Sequence, residues 1–499
     1  MKIGYKTQSI IDFNGDLIIV NLFEKVKVAG GATGTVDKFL KGMISKLISN
    51  GELTGKLGEY SLIHNPISSC PAKILIIGLG PKEKFGLDEI RKAAGTAARV
   101  AERSAAKKVG SIVHGAGIGG IEPAMAVQAL IEGTILALYE FTQYKIGKDK
   151  KIKEFFILES DPKKEKILKK GLETGIILGR CQNIARDLVN EPANNLTPLI
   201  LEKRVRTLLK SMKLEDKVKI KVMGKNQMAK AKMGALLSVA QGSNNDPAFI
   251  TLRYQGSQKH LVGLIGKTVT FDSGGISLKS SEGMGAMKGD MAGGAAVLGT
   301  TLALALLDSP VNLLAIIPAV ENLPSGTASR PGDIVRAMNG KSIEIISTDA
   351  EGRMTIADAI CFAEQSGAKT IIDISTLTGA SVIALGDVTA ALMSNSDDLI
   401  EKTKKLGEKC GEHYWPLPLF PEYNDQIKSE IADLKNAGGR KAGAITAGAF
   451  LQHFVNKAKW LHIDIAGKES RDSDSLYLSK GATGFGVRTL FHLINDLRT

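Results

Sequence analysis

The chain has 499 residues, more than one ordinary core organises, so two domains are expected. With 43% hydrophobic and 23% charged residues it reads as globular, which excludes a disordered or fibrous chain. A net charge of +13 admits a polyanionic partner such as nucleic acid. The basic clusters KDKKIKE (148–154) and DPKKEKILKK (161–170) mix their signs, however, and read as solvated helix faces. The opening MKIGYKTQSIIDFNGD lacks an apolar run of signal-peptide length, and the most apolar stretch is cut by Asp308, Pro310 and Asn312. Neither secretion nor a membrane span is expected. Cys70, Cys181, Cys361 and Cys410 form no CxxC, which suits packed thiols in a reducing cytoplasm.

In chain order, DLIIVNLF, AKILIIGLG, VGSIVHGAG and KEFFILES read as strands, with LDEIRKAAGTAARVAERSA and PAMAVQALIEGTILALYEF as helices between them. Such alternation predicts a largely parallel sheet. The helix LETGIILGRCQNIARDLVN then acts as connector. The expected division is an N-terminal α/β domain over 1–160, a connecting helix over 161–190 and a larger α/β domain over 191–499. In that second domain KIKVM, AFITLRY, LVGLIG, NLLAIIPAV, SIEIIS and TIIDIS are strand-like. MAGGAAVLGTTLALALL, TIADAICFAEQ and TAGAFLQHFVNKA are helical.

Familiar catalytic motifs are missing. GAGIGG at 115–120 satisfies GxGxxG, but no acidic residue ends the following strand to hold a ribose, so a helix-packing turn is the better reading. GKS at 340–342 lacks the leading glycine of a phosphate loop. No HExxH and no GxSxG occur, and the seven histidines are scattered.

The acidic residues are more informative. In LVGLIGKTVTFDSGGISLK a strand delivers Lys267, and Asp272 precedes Ser-Gly-Gly, with Lys279 beyond. Asp290 lies just before an alanine-rich helix, where it could equally be a helix N-terminal acid. In STDAEGRM (347–354), Asp349, Glu351 and Arg353 occupy alternate positions after the run IEII. On a continuing strand they would share one face; a charged turn with an internal ion pair is the alternative. If Asp272 and Asp349 both end buried strands, the α/β sheet gathers them in one crevice. Carboxylates so crowded would raise one another's pKa unless cations joined them. Divalent ions would do so and would also supply hydroxide near neutral pH, so no histidine or serine nucleophile would be needed.

The segments ARDLVNEPANNLTP, TFDSGGISLK, MKGDMAGGAAV, AVENLPSGTASRPGDIVRAMNGKSIEII, STDAEGRM, LTGA, AGAITAGAFL, HIDIAG and ATGFGVR run in order through residues 180–499. In these the chain resembles the leucyl aminopeptidase (cytosol aminopeptidase) family of di-metal exopeptidases. The resemblance implies a smaller N-terminal α/β domain and a catalytic α/β domain with a mixed central sheet flanked by helices. It implies two divalent ions per subunit, zinc or manganese, with magnesium admissible at the exchangeable site. Lys267, Asp272, Asp290 and Glu351 would hold the tighter ion, with the lysine neutral; Asp272, Asp349 and Glu351 would hold the exchangeable one, helped by the Asp349 carbonyl. Lys279 would polarise the peptide carbonyl, and Arg353 would position a bicarbonate-like anion as base. Met287, Thr376, Leu377, Gly379 and Ala466 would line an apolar pocket for the first side chain of short peptides with a free N-terminus. Family members assemble as hexamers of two stacked trimers. A DNA-binding accessory role, known among bacterial members, is the alternative that the charge favours. The chain departs from the family at Thr268, Ser280, Ser347, Ser375 and Lys468, where glycine, proline, asparagine, alanine and a small residue are usual. None of these is among the ligands the resemblance implies.

Overall fold

The computed structural model describes residues 1–497 apart from 66, 68–70, 116–119, 147–151 and 258–259. Cys70 and the centre of GAGIGG therefore lie outside the described residues. Internal contacts divide the chain into two units, Met1–Arg180 with Lys409–Gly411 and Asp472–Lys480, and Cys181–Glu408 with Glu412–Arg471 and Gly481–Thr499.

The first unit holds strands β1 (Lys2–Thr7), β2 (Leu17–Leu22), β3 (Tyr60–His64), β4 (Lys73–Gly78), β5 (Lys108–Ser111) and β6 (Glu154–Glu159). They form one sheet in the order β1-β6-β5-β2-β4-β3, parallel except for β3. The strand runs are continuously apolar because both faces are covered. Leu17, Ile19, Leu75, Ile77 and Ile157 pack under helices α3 (Leu87–Arg103) and α4 (Pro123–Ala137). Their alternates Ile18, Val20, Ile74, Ile76 and Leu158 pack with Val36 of α1 (Gly31–Phe39) and Ile44 of α2 (Met43–Ser49). Helix α5 (Glu165–Asn190) starts earlier than its apolar pattern suggests, at the charged run after Asp161.

The second unit opens with α6 (Pro198–Ser211), β7 (Val218–Met223), α7 (Lys225–Lys230), α8 (Gly234–Ala240), β8 (Ala248–Gln255), β9 (Leu261–Gly266) and β10 (Thr268–Asp272). There follow α9 (Ala292–Leu306), β11 (Asn312–Asn322), β12 (Ile334–Arg336), β13 (Ser342–Glu344), α10 (Glu351–Gln365), β14 (Ala368–Ser375) and α11 (Gly379–Leu385). The last elements needed here are β15 (Thr389–Ser394), α12 (Asp397–Cys410), β16 (His413–Pro416), β17 (Leu434–Lys435), α13 (Gly443–Gln452), β18 (Lys459–Asp464) and α14 (Val487–Asp496). The main sheet runs β16-β15-β18-β14-β9-β11-β8-β7, with β10 alongside β11. It is mixed. Strands β18, β14, β9, β11 and β10 run parallel, whereas β15, β8 and the β8–β7 pairing are antiparallel. The carboxyl ends of those five parallel strands therefore point one way, and that end carries the acids.

The segment Met284–Leu306 is long and apolar enough to cross a bilayer by composition, yet 94% of its most apolar window is buried inside the protein. Its helical part, α9, packs on the main sheet.

Candidate active site

Lys267 sits in the single-residue break between β9 and β10, and Asp272 is the last residue of β10. Asp290 follows a 3-10 turn, Met284–Gly289, two residues before α9, and Glu351 is the first residue of α10. Lys267, Asp272, Asp290 and Glu351 are all buried.

Asp349, Glu351 and Arg353 do not share a strand face. The strand ends at Glu344, five residues before Asp349. A turn closed by the Ala350 N–H to the Ser347 carbonyl (3.3 Å) then leads directly into the helix. The three side chains consequently diverge. Asp349 pairs with Lys279 (2.5 Å), Glu351 with Lys267 (2.7 Å), and the Arg353 Nη1 donates to the Asn436 carbonyl (2.8 Å). Asp272 does end a strand, as expected; Asp349 does not. The internal ion pair of the alternative reading is likewise not found, since Asp349 turns to Lys279.

The cluster is knit by two lysines. Lys267 Nζ contacts Asp290 Oδ1 and Glu351 Oε1, both at 2.7 Å, and donates to the Thr376 carbonyl at 2.9 Å. Lys279 Nζ contacts Asp272 Oδ2 at 2.8 Å. Asp272 Oδ1 accepts from the Gly274 N–H (2.9 Å) and from Asn322 Nδ2 (2.8 Å). Glycines permit these approaches. A Cβ on Gly274, whose φ is +88°, would lie 2.8 Å from Asp349 Oδ1.

Burial pushes the Asp290 carboxyl well above its ordinary pKa, with Glu351 and Asp272 adding to the rise against the pull of Lys267. Glu351 is raised by burial and by Asp272. Asp349 is raised by burial against the opposing Lys279. Burial lowers the pKa of the Lys267 ammonium, but Asp290, Glu351 and Asp272 outweigh it and push its pKa up overall. Lys279 is likewise pulled down by burial but raised overall by Asp272 and Asp349. Lys267 facing carboxylates alone is therefore a cation; a neutral lysine requires a stronger cation beside it.

The donor set fits such a cation. One carboxylate oxygen each from Asp272, Asp290 and Glu351 lies within 4.8 Å of the others, near enough for small side-chain shifts to bring all three onto one ion. Asp290 Oδ2 and Glu351 Oε2 are buried with no hydrogen-bond donor. Buried carboxylate oxygens without partners are costly, and a bound cation would satisfy both.

Next to this cluster stand most of the expected pocket residues. Thr376 Oγ1 donates to Asp290 Oδ1 (2.6 Å), and the Met287 carbonyl accepts from the Asp290 N–H (3.2 Å). Asp464, at the end of β18, accepts from the N–H groups of Leu377 and Ala466, both at 3.1 Å, and so ties those two loops together. Gly379 begins α11, and a Cβ there would meet nothing within 4 Å. Sequence reasoning missed Asn322, Asn436 and Asp464, which hold Asp272, Arg353 and the pocket loops. Asn322 had a signal, since it closes the apolar run NLLAIIPAVEN; Asn436 had none.

Comparison with known proteins agrees along the whole chain. Residues 183–491 match the catalytic domain of the cytosol aminopeptidase family, and residues 19–148 match its N-terminal domain. A probable cytosol aminopeptidase of Alkaliphilus oremlandii is 42% identical over 503 residues, covering 100% of both chains. One from Geotalea uraniireducens is 43% identical over 93% of both. Among solved structures, a mutant of tomato leucine aminopeptidase superimposes with a TM-score of 0.87 at 32% identity, covering 99% of this chain and 96% of that one. The bottromycin maturation enzyme BotP in complex with Mn gives 0.85 at 31% identity, covering 97% and 99%. The buried carboxylate cluster at the sheet's carboxyl end is thus found in a chain that belongs to the cytosol (leucyl) aminopeptidase family of metal-dependent peptide hydrolases.

Proposed function

We propose that this aminopeptidase removes leucine or another apolar residue from the free N-terminus of short peptides. The observation that carries the reading is the pair of buried, donorless carboxylate oxygens on Asp290 and Glu351, flanked by Lys267 and Lys279. Lys267, Asp272, Asp290 and Glu351 would hold one divalent ion, and Asp272, Asp349 and Glu351 a second. Zinc or manganese suits both positions, with magnesium admissible at the second. When bound, the ions supply a water acidic enough to ionise near neutral pH.

The chain's own residues do the rest. Lys279, only partly buried and kept protonated by Asp272 and Asp349, donates to the peptide carbonyl oxygen as negative charge develops on it. Arg353 would hold a bicarbonate-like anion, which would supply the base that no side chain here provides. Burial lowers the pKa of this guanidinium only to about 10, so it stays charged at neutral pH. Met287, Thr376, Leu377, Gly379 and Ala466 surround the first side chain. The reading includes a cytoplasmic homohexamer, with residues 1–160 as N-terminal domain, 161–190 as connector and 191–499 as catalytic domain.

The test is release of p-nitroaniline from leucine p-nitroanilide. Activity should be lost on chelation, return with zinc or manganese, and be absent on the N-acetylated substrate. A metal-loaded preparation that cleaves no free-amine substrate would refute the proposal.

A further inference from the structure

His462 and Asp373 lie on the sheet face that α10 covers. They are register neighbours on β18 and β14, both fully buried, with Nδ1 and Oδ1 2.5 Å apart. The other Asp373 oxygen accepts from Trp460 Nε1 at 2.8 Å. With both oxygens accepting, Asp373 fixes a proton on His462 Nδ1 and, in the neutral ring, leaves Nε2 as an acceptor; burial favours that neutral form, whereas Asp373 and Asp464 outweigh it and raise the ring's pKa. That Nε2 is buried and has no partner.

The face has three rungs, read from the register: Ile371 beside Trp460, Asp373 beside His462, and Ser375 beside Asp464. Helix α10 lies over it, since Ile356 and Ile360 share one apolar cluster with Ile371 and Trp460. Arg353 is three residues before Ile356 on the same helical stripe, and so stands over the two polar rungs. Its Nε is buried without a partner, as is Ser375 Oγ. The Arg353 charge opposes the rise in the His462 pKa. The Arg353 Nε–H, His462 Nε2 and the Ser375 hydroxyl, all buried and without partners, therefore belong to the same face, and one buried water can satisfy such a set.

We propose that His462, oriented by Asp373, is the positioning residue for Arg353. Its neutral Nε2 takes the Arg353 Nε–H through a buried water, which, with the Asn436 carbonyl on Nη1, fixes the guanidinium so that its remaining N–H groups can face the reaction centre. This rests on the catalytic role given to Arg353 above.

The test is a double-mutant cycle in kcat and KM on the full-length, metal-loaded enzyme with leucine p-nitroanilide, at alkaline pH where the His462 ring is neutral. His462→Asn keeps the donor to Asp373 and loses the Nε2 acceptor. It should lower kcat about 10-fold or more with KM within about twofold, and cause no further loss in an Arg353→Ala background. Asp373→Asn leaves the imidazole but donates to Nδ1, which moves the ring proton to Nε2, so it should give the same drop if His462→Asn fails to fold. An unchanged kcat in either folded variant, or losses that multiply with Arg353→Ala, would overturn the positioning role alone. A wild-type enzyme that cleaves no free-amine peptide would instead overturn the function beneath it.

Discussion

Gly352 lies so close to Lys267 that a Cβ added to it would sit 2.4 Å from Lys267 Cε and 2.8 Å from Nζ. The backbone of α10 is thus the wall against which the lysine is held, one residue after the ligand candidate Glu351. A methyl group here must push Lys267 out of line or lift the helix start. Gly352→Ala should cost about 1–3 kcal/mol of stability, as overpacking in cores does. Zinc affinity should fall at least about 10-fold, read by metal analysis after dialysis against a weak chelator.

Asn322 offers a second indirect handle on the centre. Its Nδ2 donates both to Asp272 Oδ1 (2.8 Å) and to the Thr348 carbonyl (3.0 Å), joining the end of β11 to the turn before α10. Asn322→Ala removes the group that aims Asp272. Metal affinity should drop about 10- to 100-fold while the far-ultraviolet circular dichroism stays unchanged.

The two lysines differ in burial, and their variants should differ in kind. Lys267 has a side chain 3% exposed and bridges Asp290 and Glu351, whereas Lys279 is 25% exposed and reaches Asp272 and Asp349. Lys267→Met should lose bound metal and activity together. Lys279→Met should keep its metal, lose about 100-fold or more in kcat, and change KM little. Metal analysis beside steady-state kinetics separates the two outcomes.

Asp358, on the inner side of α10, accepts from the N–H groups of Leu236 (2.9 Å) and Met338 (2.7 Å). Burial nevertheless pushes its pKa up from 3.8 to about 7. The native state therefore holds a proton that the unfolded chain releases between those values. The stabilisation is complete below about pH 4 and is lost as pH rises through 7, up to roughly 4 kcal/mol by linkage. Thermal melts of wild type against Asp358→Asn should show the wild type losing ground steadily between pH 4 and 8. A constant difference would contradict the shift.

How much of this was legible beforehand follows from what each residue's neighbours in sequence reveal. The parallel strands announced themselves because a strand covered on both faces is a continuous apolar run, as in LVGLIG and NLLAIIPAV. Asp272 and Lys267 were readable as groups at strand ends for the same reason. STDAEGRM misled on conformation, because three alternating charges look the same on a strand as at a turn that opens a helix. The Ser347–Ala350 turn decides between them, and it is stabilised partly from afar: Asn436 accepts from the N–H groups of Ile346 (2.8 Å) and Ser347 (3.2 Å). Asn436 and Asp464 act across more than 80 residues of chain, and no local pattern marks them. The family resemblance named ligand candidates that the fold brings together, but the hydrogen bonds that hold them are properties of the folded sheet.

Calorimetric titration of the metal-stripped enzyme with zinc tests the central claim most directly. The account predicts two equivalents per chain for the wild type, with activity on leucine p-nitroanilide following occupancy. Glu351→Gln, which weakens a ligand shared by both positions, should lose high-affinity binding at each. A folded wild-type protein that takes up no zinc, or a Glu351→Gln variant that binds two equivalents as tightly as wild type, would contradict it.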